Sequence, residues 1–410
     1  MRICLLSYRG NPFCGGQGVY VTELGRELAR QGHDVHLIAG PPYPRDSEGI
    51  ALHRLPSASP YLNENGRRGA GSWRDGMLSP IGWYERGAAA TGAFPEMAAF
   101  SLRAWLRLRA LMRTARFDVI HDNQCLGWGL LPMRRLGAPV IATIHHPLTI
   151  DRERYFEPPA TLLERWRGWR LYPIGMQGHV ARRMARIVTV SHASAEAIAR
   201  DFRVRPERIR VIPNGLDTVL FRPPERPRRV PGRVIYVGNL GDRNKGVVYL
   251  LRAMARVPPP AHLAVVGAGA AVPAWVRALV AELGLDDRIT FEAQLTPQDL
   301  VTRYGEAELT VSPSLFEGFG FPAVEGMACG LPVVAARGGA LPEVVGDAGL
   351  LVPTRDAEAL AEAIRRLLGD AALRERLGAA ARARVLERFS WSRAAAHLIE
   401  VYREVNDAHR

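Results

Sequence analysis

The sequence predicts an α/β protein of two doubly wound, Rossmann-like parallel-sheet domains. Three observations carry that expectation. Apolar runs of strand length alternate with helical periodicity along the whole chain, and 410 residues suffice for two cores of ordinary size. A Pro- and Arg-rich passage, PNGLDTVLFRPPERPRRVPG, begins at residue 213 and reads as the crossing from one domain to the next.

In the first half, strands are expected at 2–8, 34–39, 50–55, 118–121, 139–144, 187–191 and 209–212. Helices are expected at 19–31, about 97–115, about 126–136, near 175–185 and at 194–201. Strand and helix in alternation point to βαβ units and a parallel sheet. Two stretches, 56–95 and 148–173, break the rhythm with Pro, Gly and aromatics such as Trp73, Trp83, Tyr84, Trp166 and Trp169. Loops of that length bind something or are plain surface insertions. In the second half, strands are expected at 233–238, 262–267, 288–292, 309–312, 332–335 and 349–352, with helices between them and at 357–368, 371–388 and about 391–406.

Composition excludes several classes. No window is apolar enough to span a membrane, and the opening MRICLLSYRG is too short an apolar run for a signal peptide, so a cytoplasmic protein is expected. Cys4, Cys14, Cys125 and Cys329 are scattered without metal-ligand spacing, which argues against both disulfides and zinc. A net charge of +13 suggests an anionic partner, but no nucleic-acid motif accompanies it. The helix at 97–115 carries Arg103, Arg107, Arg109, Arg113 and Arg116 beside apolar residues. Peripheral contact with an anionic membrane is one reading of it, and a solvated helix face is the preferred one. The cations are nearly all arginine, and Lys245 is the only lysine.

The chemistry gathers around residues 309–330, LTVSPSLFEGFGFPAVEGMACG: a strand, a glycine-rich turn and a helix N-terminus that directs free N–H groups at a ligand. Glu317 and Glu325 bracket the turn, eight positions apart. A carboxylate such as Glu325 suits the vicinal hydroxyls of a ribose, while Glu317 would reach a group beyond the phosphates. In VGNLGDRNKG, residues 237–246, a strand end leads through Arg243 and Lys245 to a helix start, where two cations could grip a diphosphate. A compact ammonium that can point at phosphate oxygens is a physical reason to keep one lysine. Gly15-Gly16-Gln17-Gly18 follows the first strand and fits backbone approach to a phosphate or sugar, although it lacks dinucleotide spacing. His121, Asp122, His145 and His146 fall at neighbouring strand ends and read as cleft lining rather than metal ligands.

These residues resemble a family. Glu317-GFGFPAV-Glu325 is similar to the E-x7-E motif of the retaining glycosyltransferases of GT-B fold called family 4. Support comes from the Gly15-Gly16 loop, TIHH at 143–146, TVSHAS at 189–194, IPNGLD at 212–217, the Gly238 to Gly246 loop and GLPVVAARGGALPEVVGDAGLLVP at 330–353. The resemblance implies two domains facing a cleft, 1–211 for the acceptor and 212–388 for a nucleotide sugar, with 389–410 crossing back to the first. It implies a nucleotide-diphosphate-sugar donor, UDP preferred over GDP, and a small-molecule, glycan or lipid acceptor. Glu325 would bind the ribose, Glu317 and the amides of Gly318, Phe319 and Gly320 the hexose, and Lys245 the diphosphate. His145 would stand beside the reacting sugar, and Gly16 would offer its N–H to the diphosphate.

Retention in this family is discussed as same-face attack, with the departing phosphate helping to remove the acceptor's proton, so no protein nucleophile is sought. No DxD pattern is present, and neither metal nor cofactor is expected. Two positions depart from the family, which usually carries arginine where this chain has Asn239. Arg243 or another residue supplies the second cation, or the diphosphate is held more weakly, or the activity differs. Ala268 likewise stands where an acidic residue is usual. A nucleotide-sugar 2-epimerase of the same fold and a non-catalytic sugar-nucleotide binder are the alternatives.

Overall fold

The computed structural model describes residues 1–10, 16–44, 48–57, 79–91, 93–153, 173–225, 228–267, 272–293 and 295–409. The chain forms two compact units, one of Met1–Ile212 with Trp391–Arg410 and one of Pro213–Ser390. The first contains β1 (Arg2–Ser7), β2 (Asp34–Ala39), β3 (Ile50–Arg54), β4 (Val119–Asn123), β5 (Val140–Thr143), β6 (Ile187–Thr189) and β7 (Ile209–Val211). They form one parallel sheet in the order β3-β2-β1-β4-β5-β6-β7, with Ile3 beside both Val35 and Val119. The second unit contains β8 (Arg233–Val237), β9 (His262–Val266), β10 (Ile289–Glu292), β11 (Leu309–Ser312), β12 (Val333–Ala336) and β13 (Gly349–Val352). Their order is β10-β9-β8-β11-β12-β13, again all parallel.

Helices cover both faces of such sheets, so central strands are buried along their whole length, including the polar end of β4. All four residues of β5 and of β12 are buried. The strand order places β1 beside β4 and β8 beside β11, where the winding reverses direction. Loops leaving these neighbours diverge and open a crevice at the carboxyl ends, the position at which doubly wound sheets hold ligands.

Three local expectations need correction. The stretch 56–95 is not all irregular: Pro80–Ala90 is a helix, with Ser79 Oγ accepting from the Gly82 N–H at 3.1 Å and Pro80 in its first turn. Residues 58–78 of that stretch, and 154–172 of the other, lie outside the described residues. The helix expected at 126–136 shrinks to Leu130–Met133. The preceding chain runs against the helix Glu96–Leu111, so close that a Cβ on Gly129 would stand 2.0 Å from the Ser101 carbonyl oxygen. On that helix Arg103 does not belong to a solvated face. It is buried and pairs with Glu85 at 2.7 Å, also buried, while Met97, Phe100, Ala104 and Leu108 enter the core.

The final helix, Trp391–Asp407, packs on the first unit through Leu398, Val401 and Tyr402. Its Tyr402 hydroxyl lies 2.6 Å from Nδ1 of buried His121, whose Nε2 is 2.7 Å from Thr143 Oγ1. Tyr20 completes the chain at 2.9 Å from the same Thr143 oxygen, and its ring meets Trp391. Every polar atom in this row has a partner, which is what makes its burial tolerable. Tyr402→Phe leaves one imidazole nitrogen buried and unpaired, and is expected to lower stability by about 1–3 kcal/mol. Urea unfolding followed by tryptophan fluorescence checks this, and an unchanged midpoint would show that the bond contributes nothing.

Candidate functional site

In the second unit the loop after β8 is built around a turn. Asn239 Oδ1 accepts from the Gly241 N–H at 2.8 Å, and Asp242 Oδ1 accepts from the Asn244 N–H at 3.0 Å. A single 3-10 turn, Arg243–Lys245, then delivers the chain to Gly246 and the helix Val247–Met254. Gly246 has φ +66, and a Cβ there would stand 2.0 Å from the Pro313 carbonyl oxygen. Only glycine fits on both counts. The loop after β11 is thereby pressed against the loop after β8, and the Leu315 N–H donates to the Asn244 carbonyl at 2.7 Å.

That contact brings together two residues 72 positions apart. Lys245 Nζ donates to Glu317 Oε1 at 2.7 Å, and Ser314 Oγ donates to the same oxygen at 2.7 Å. Behind them the Glu317 carbonyl accepts from the Ala340 N–H at 2.9 Å, and Gly339 leaves the space this requires. The chain then reaches Gly320, φ +95, which opens the helix Phe321–Ala328 without a side-chain cap. Among the described residues the N–H groups of Gly318, Phe319 and Gly320 carry no hydrogen bond, so they remain available to a ligand. The Phe319 ring itself is buried against Phe321 and Phe389, leaving only its amide for that purpose.

Asn239 stands exposed with its side-chain oxygen closing the turn, so it takes the place of a cation with a conformational role. The Arg243 side chain is exposed and makes no hydrogen bond or ion pair among the described residues. Glu325, on the helix, accepts from the Tyr304 hydroxyl at 3.0 Å, a hydroxyl that also lies 3.1 Å from the Pro322 carbonyl. Burial raises the Glu325 pKa to about 7, with the Tyr304 bond opposing the rise. Neither Tyr304 nor Ser314 is singled out by sequence, since a tyrosine in a helix and a serine in a turn carry no motif.

In the first unit His145 follows β5, and its imidazole Nε2 lies 2.8 Å from Asn123 Oδ1 at the end of β4. Its N–H donates to Gln124 Oε1 at 2.7 Å, its carbonyl accepts from Ser194 Oγ at 2.8 Å, and the Tyr20 ring meets it edge-on at 4.8 Å. Burial holds the His145 pKa down to about 3, so the ring is neutral at physiological pH. Gly16 opens the helix Gly16–Arg30, and the Gln17 carbonyl accepts from Asn123 Nδ2 at 3.0 Å. Gly15 and Ala268 lie outside the described residues.

The other strand-end groups serve different partners. His121 is held between Tyr402 and Thr143, His146 lies 3.0 Å from Asp151, and Asp122 accepts from the Leu126 N–H at 2.9 Å. Burial pushes the Asp122 carboxyl up to about 7. Among the described residues no group of three or more His, Cys, Asp or Glu is arranged to hold a metal ion, and no helix is long and apolar enough to cross a membrane.

Two doubly wound sheets with their polar loops gathered at the switch points are the architecture of a GT-B glycosyltransferase. The chain belongs to glycosyltransferase family 4: residues 14–220 match the family described as Glycosyltransferase Family 4, and residues 231–370 match Glycosyl transferases group 1. Over 413 residues it is 42% identical to the MMP alpha-(1->4)-mannosyltransferase of Mycolicibacterium hassiacum, covering 98% of each chain. It is 31% identical to the D-inositol 3-phosphate glycosyltransferase of Acidothermus cellulolyticus, covering 98% of this chain and 90% of that one. Among solved structures, the sucrose-phosphate synthase of Thermosynechococcus elongatus superposes with a TM-score of 0.76 at 27% identity, over 99% of both chains.

The raised pKa of Glu325 makes a stability prediction. Between its ordinary value of 4.5 and about 7 the folded chain keeps a proton that the unfolded chain has released. Stability from this group is therefore lost as pH rises through that window. Glu325→Gln, compared with the parent by urea unfolding at pH about 5 and about 8, is expected to lose less, by on the order of 2 kcal/mol. Asp122 titrates in the same direction in both proteins and cancels in the difference.

Proposed function

We propose that this glycosyltransferase is a retaining α-mannosyltransferase, moving mannose from a nucleoside-diphosphate mannose to a hydroxyl of a glycan acceptor. The observation that carries the reading is the meeting of Lys245 and Glu317 at the carboxyl ends of adjacent β8 and β11, beside three free backbone N–H groups. The choice of mannose rests on the relative that is 42% identical along nearly the whole chain. A sugar nucleotide whose phosphate is α-linked yields an α-glycoside only by retention, which the α in that relative's name supports.

The assigned roles follow from charge. Breaking the bond between the sugar and the phosphate leaves positive charge at the anomeric carbon and negative charge on the diphosphate. Lys245 and Arg243 neutralise the diphosphate, with the Gly16 N–H assisting, and Asn239 holds the turn that presents them. Glu317 and the Gly318, Phe319 and Gly320 amides take the hexose hydroxyls, and Glu325 accepts from the ribose hydroxyls. His145 stands beside the hexose. The acceptor oxygen attacks the face the diphosphate leaves, and its proton passes to a phosphate oxygen, so neither protein nucleophile nor divalent metal is required. A cytoplasmic setting fits the thiols of Cys4, Cys125 and Cys329, all free and buried.

The test offers GDP-mannose and UDP-mannose in parallel to the purified chain with a panel of mannosides, reading product mass and anomeric configuration. An α-linked mannoside is expected with one of the two carriers, and turnover is expected to survive chelation of divalent ions. Inverted product would overturn retention, and interconversion of two nucleotide sugars without acceptor would replace transfer by epimerisation. Lys245→Ala is expected to lower kcat by about 100- to 1000-fold. Turnover within a factor of about two of the parent would remove the lysine from the site.

A further inference from the structure

A single amide at the first switch point joins elements that the proposed mechanism treats separately. Asn123, the last residue of β4, is 2% exposed, and its side chain bonds in three directions. Nδ2 donates to the Gln17 carbonyl at 3.0 Å and to Ser7 Oγ at 3.3 Å, and Oδ1 faces His145 Nε2 at 2.8 Å. The orientation is forced. A backbone carbonyl can only accept, and Ser7 Oγ already spends its proton on the Arg9 carbonyl at 2.7 Å, so the amide nitrogen must point at both. Its oxygen is then the atom opposite the imidazole, and His145 must carry its proton on Nε2.

The neighbouring residue holds the same loop from another side. Gln124 adopts φ +55, a left-handed conformation rare outside glycine and asparagine, and its amide brackets the loop. Oε1 accepts from the His145 N–H at 2.7 Å, and Nε2 donates to the His146 carbonyl at 2.9 Å. His145 Nδ1 bonds to none of the described residues, and the residue is 8% exposed. The titratable groups facing the ring are Tyr20 from the helix Gly16–Arg30, His121 from β4, and His146 with its partner Asp151.

We propose that Asn123 is a positioning residue that locks His145 as the Nε2–H tautomer and ties it to the glycine-rich loop, presenting Nδ1 as a hydrogen-bond acceptor for a hydroxyl of the donor sugar. This rests on the assignment of His145 to the hexose. No proton moves at this position during transfer. The imidazole acts as a fixed, neutral acceptor, and protonation would turn Nδ1 into a donor and lose the contact.

The test reads the tautomer directly. Long-range proton–nitrogen NMR of the full chain is expected to show His145 as Nε2–H, without titration between pH about 5 and 8. In Asn123→Asp, which keeps the side-chain volume, a carboxylate faces the Nε2–H and favours the imidazolium. Its His145 is expected to titrate within that range. Its kcat is expected to fall at least about tenfold below the parent's at the acid end. A parent His145 protonated on Nδ1, or an Asn123→Asp chain with the parent's kcat–pH profile, would overturn the proposal. The spectra need no substrate, so they judge the tautomer even where the choice of donor sugar fails.

Discussion

The candidate site of the second unit depends on one backbone contact, the approach of Gly246 to the Pro313 carbonyl. It lets the loops after two adjacent strands share an edge, and the Leu315 to Asn244 hydrogen bond closes that edge. A side chain at 246 would force the loops apart, since its Cβ would stand 2.0 Å from the Pro313 oxygen. Much of the chemistry therefore descends from a steric requirement rather than from the charges themselves. Gly339, behind the Glu317 carbonyl, repeats the requirement from the other side.

The first unit solves the same problem with amides. Asn123 and Gln124 sit at the carboxyl end of β4, next to β1 and β5, and between them they fix the glycine-rich helix start and the His145 loop. Each unit thus uses the strands flanking its switch point to hold polar groups at defined distances, in one case by close packing and in the other by buried hydrogen bonds. The buried row from Tyr402 through His121 and Thr143 to Tyr20 extends this order to the final helix.

The strands were readable from sequence because both faces of a parallel sheet are covered, so runs such as Ile3–Leu6 and Val333–Ala336 lack polar interruption. Their order in the sheet is a matter of pairing and leaves no such trace. The helix Pro80–Ala90 was missed because Trp83 and Tyr84 are exposed on it and blur the apolar period, although Ser79-Pro80 carries the start signal. In the site, Lys245 stood out by its rarity and Glu317 by its motif, but their contact spans 72 positions and exists only in three dimensions. Asn239 shows the converse: read against a family it was a missing cation, whereas the geometry makes it the closure of a turn. Asn123 and Tyr304 carry no signal at all, because a buried amide or phenol is defined by what it faces.

The singularity of Lys245 has a practical side. Apart from the chain's N-terminus, this protein presents one amine to an acylating reagent, and that amine is a quarter exposed and tied to Glu317. Ordinary surface labelling, which scatters over many lysines in most proteins, collapses here to a single address inside the candidate site. Slower acylation of that amine when a nucleotide is bound would register occupancy of the site without any engineering of the chain.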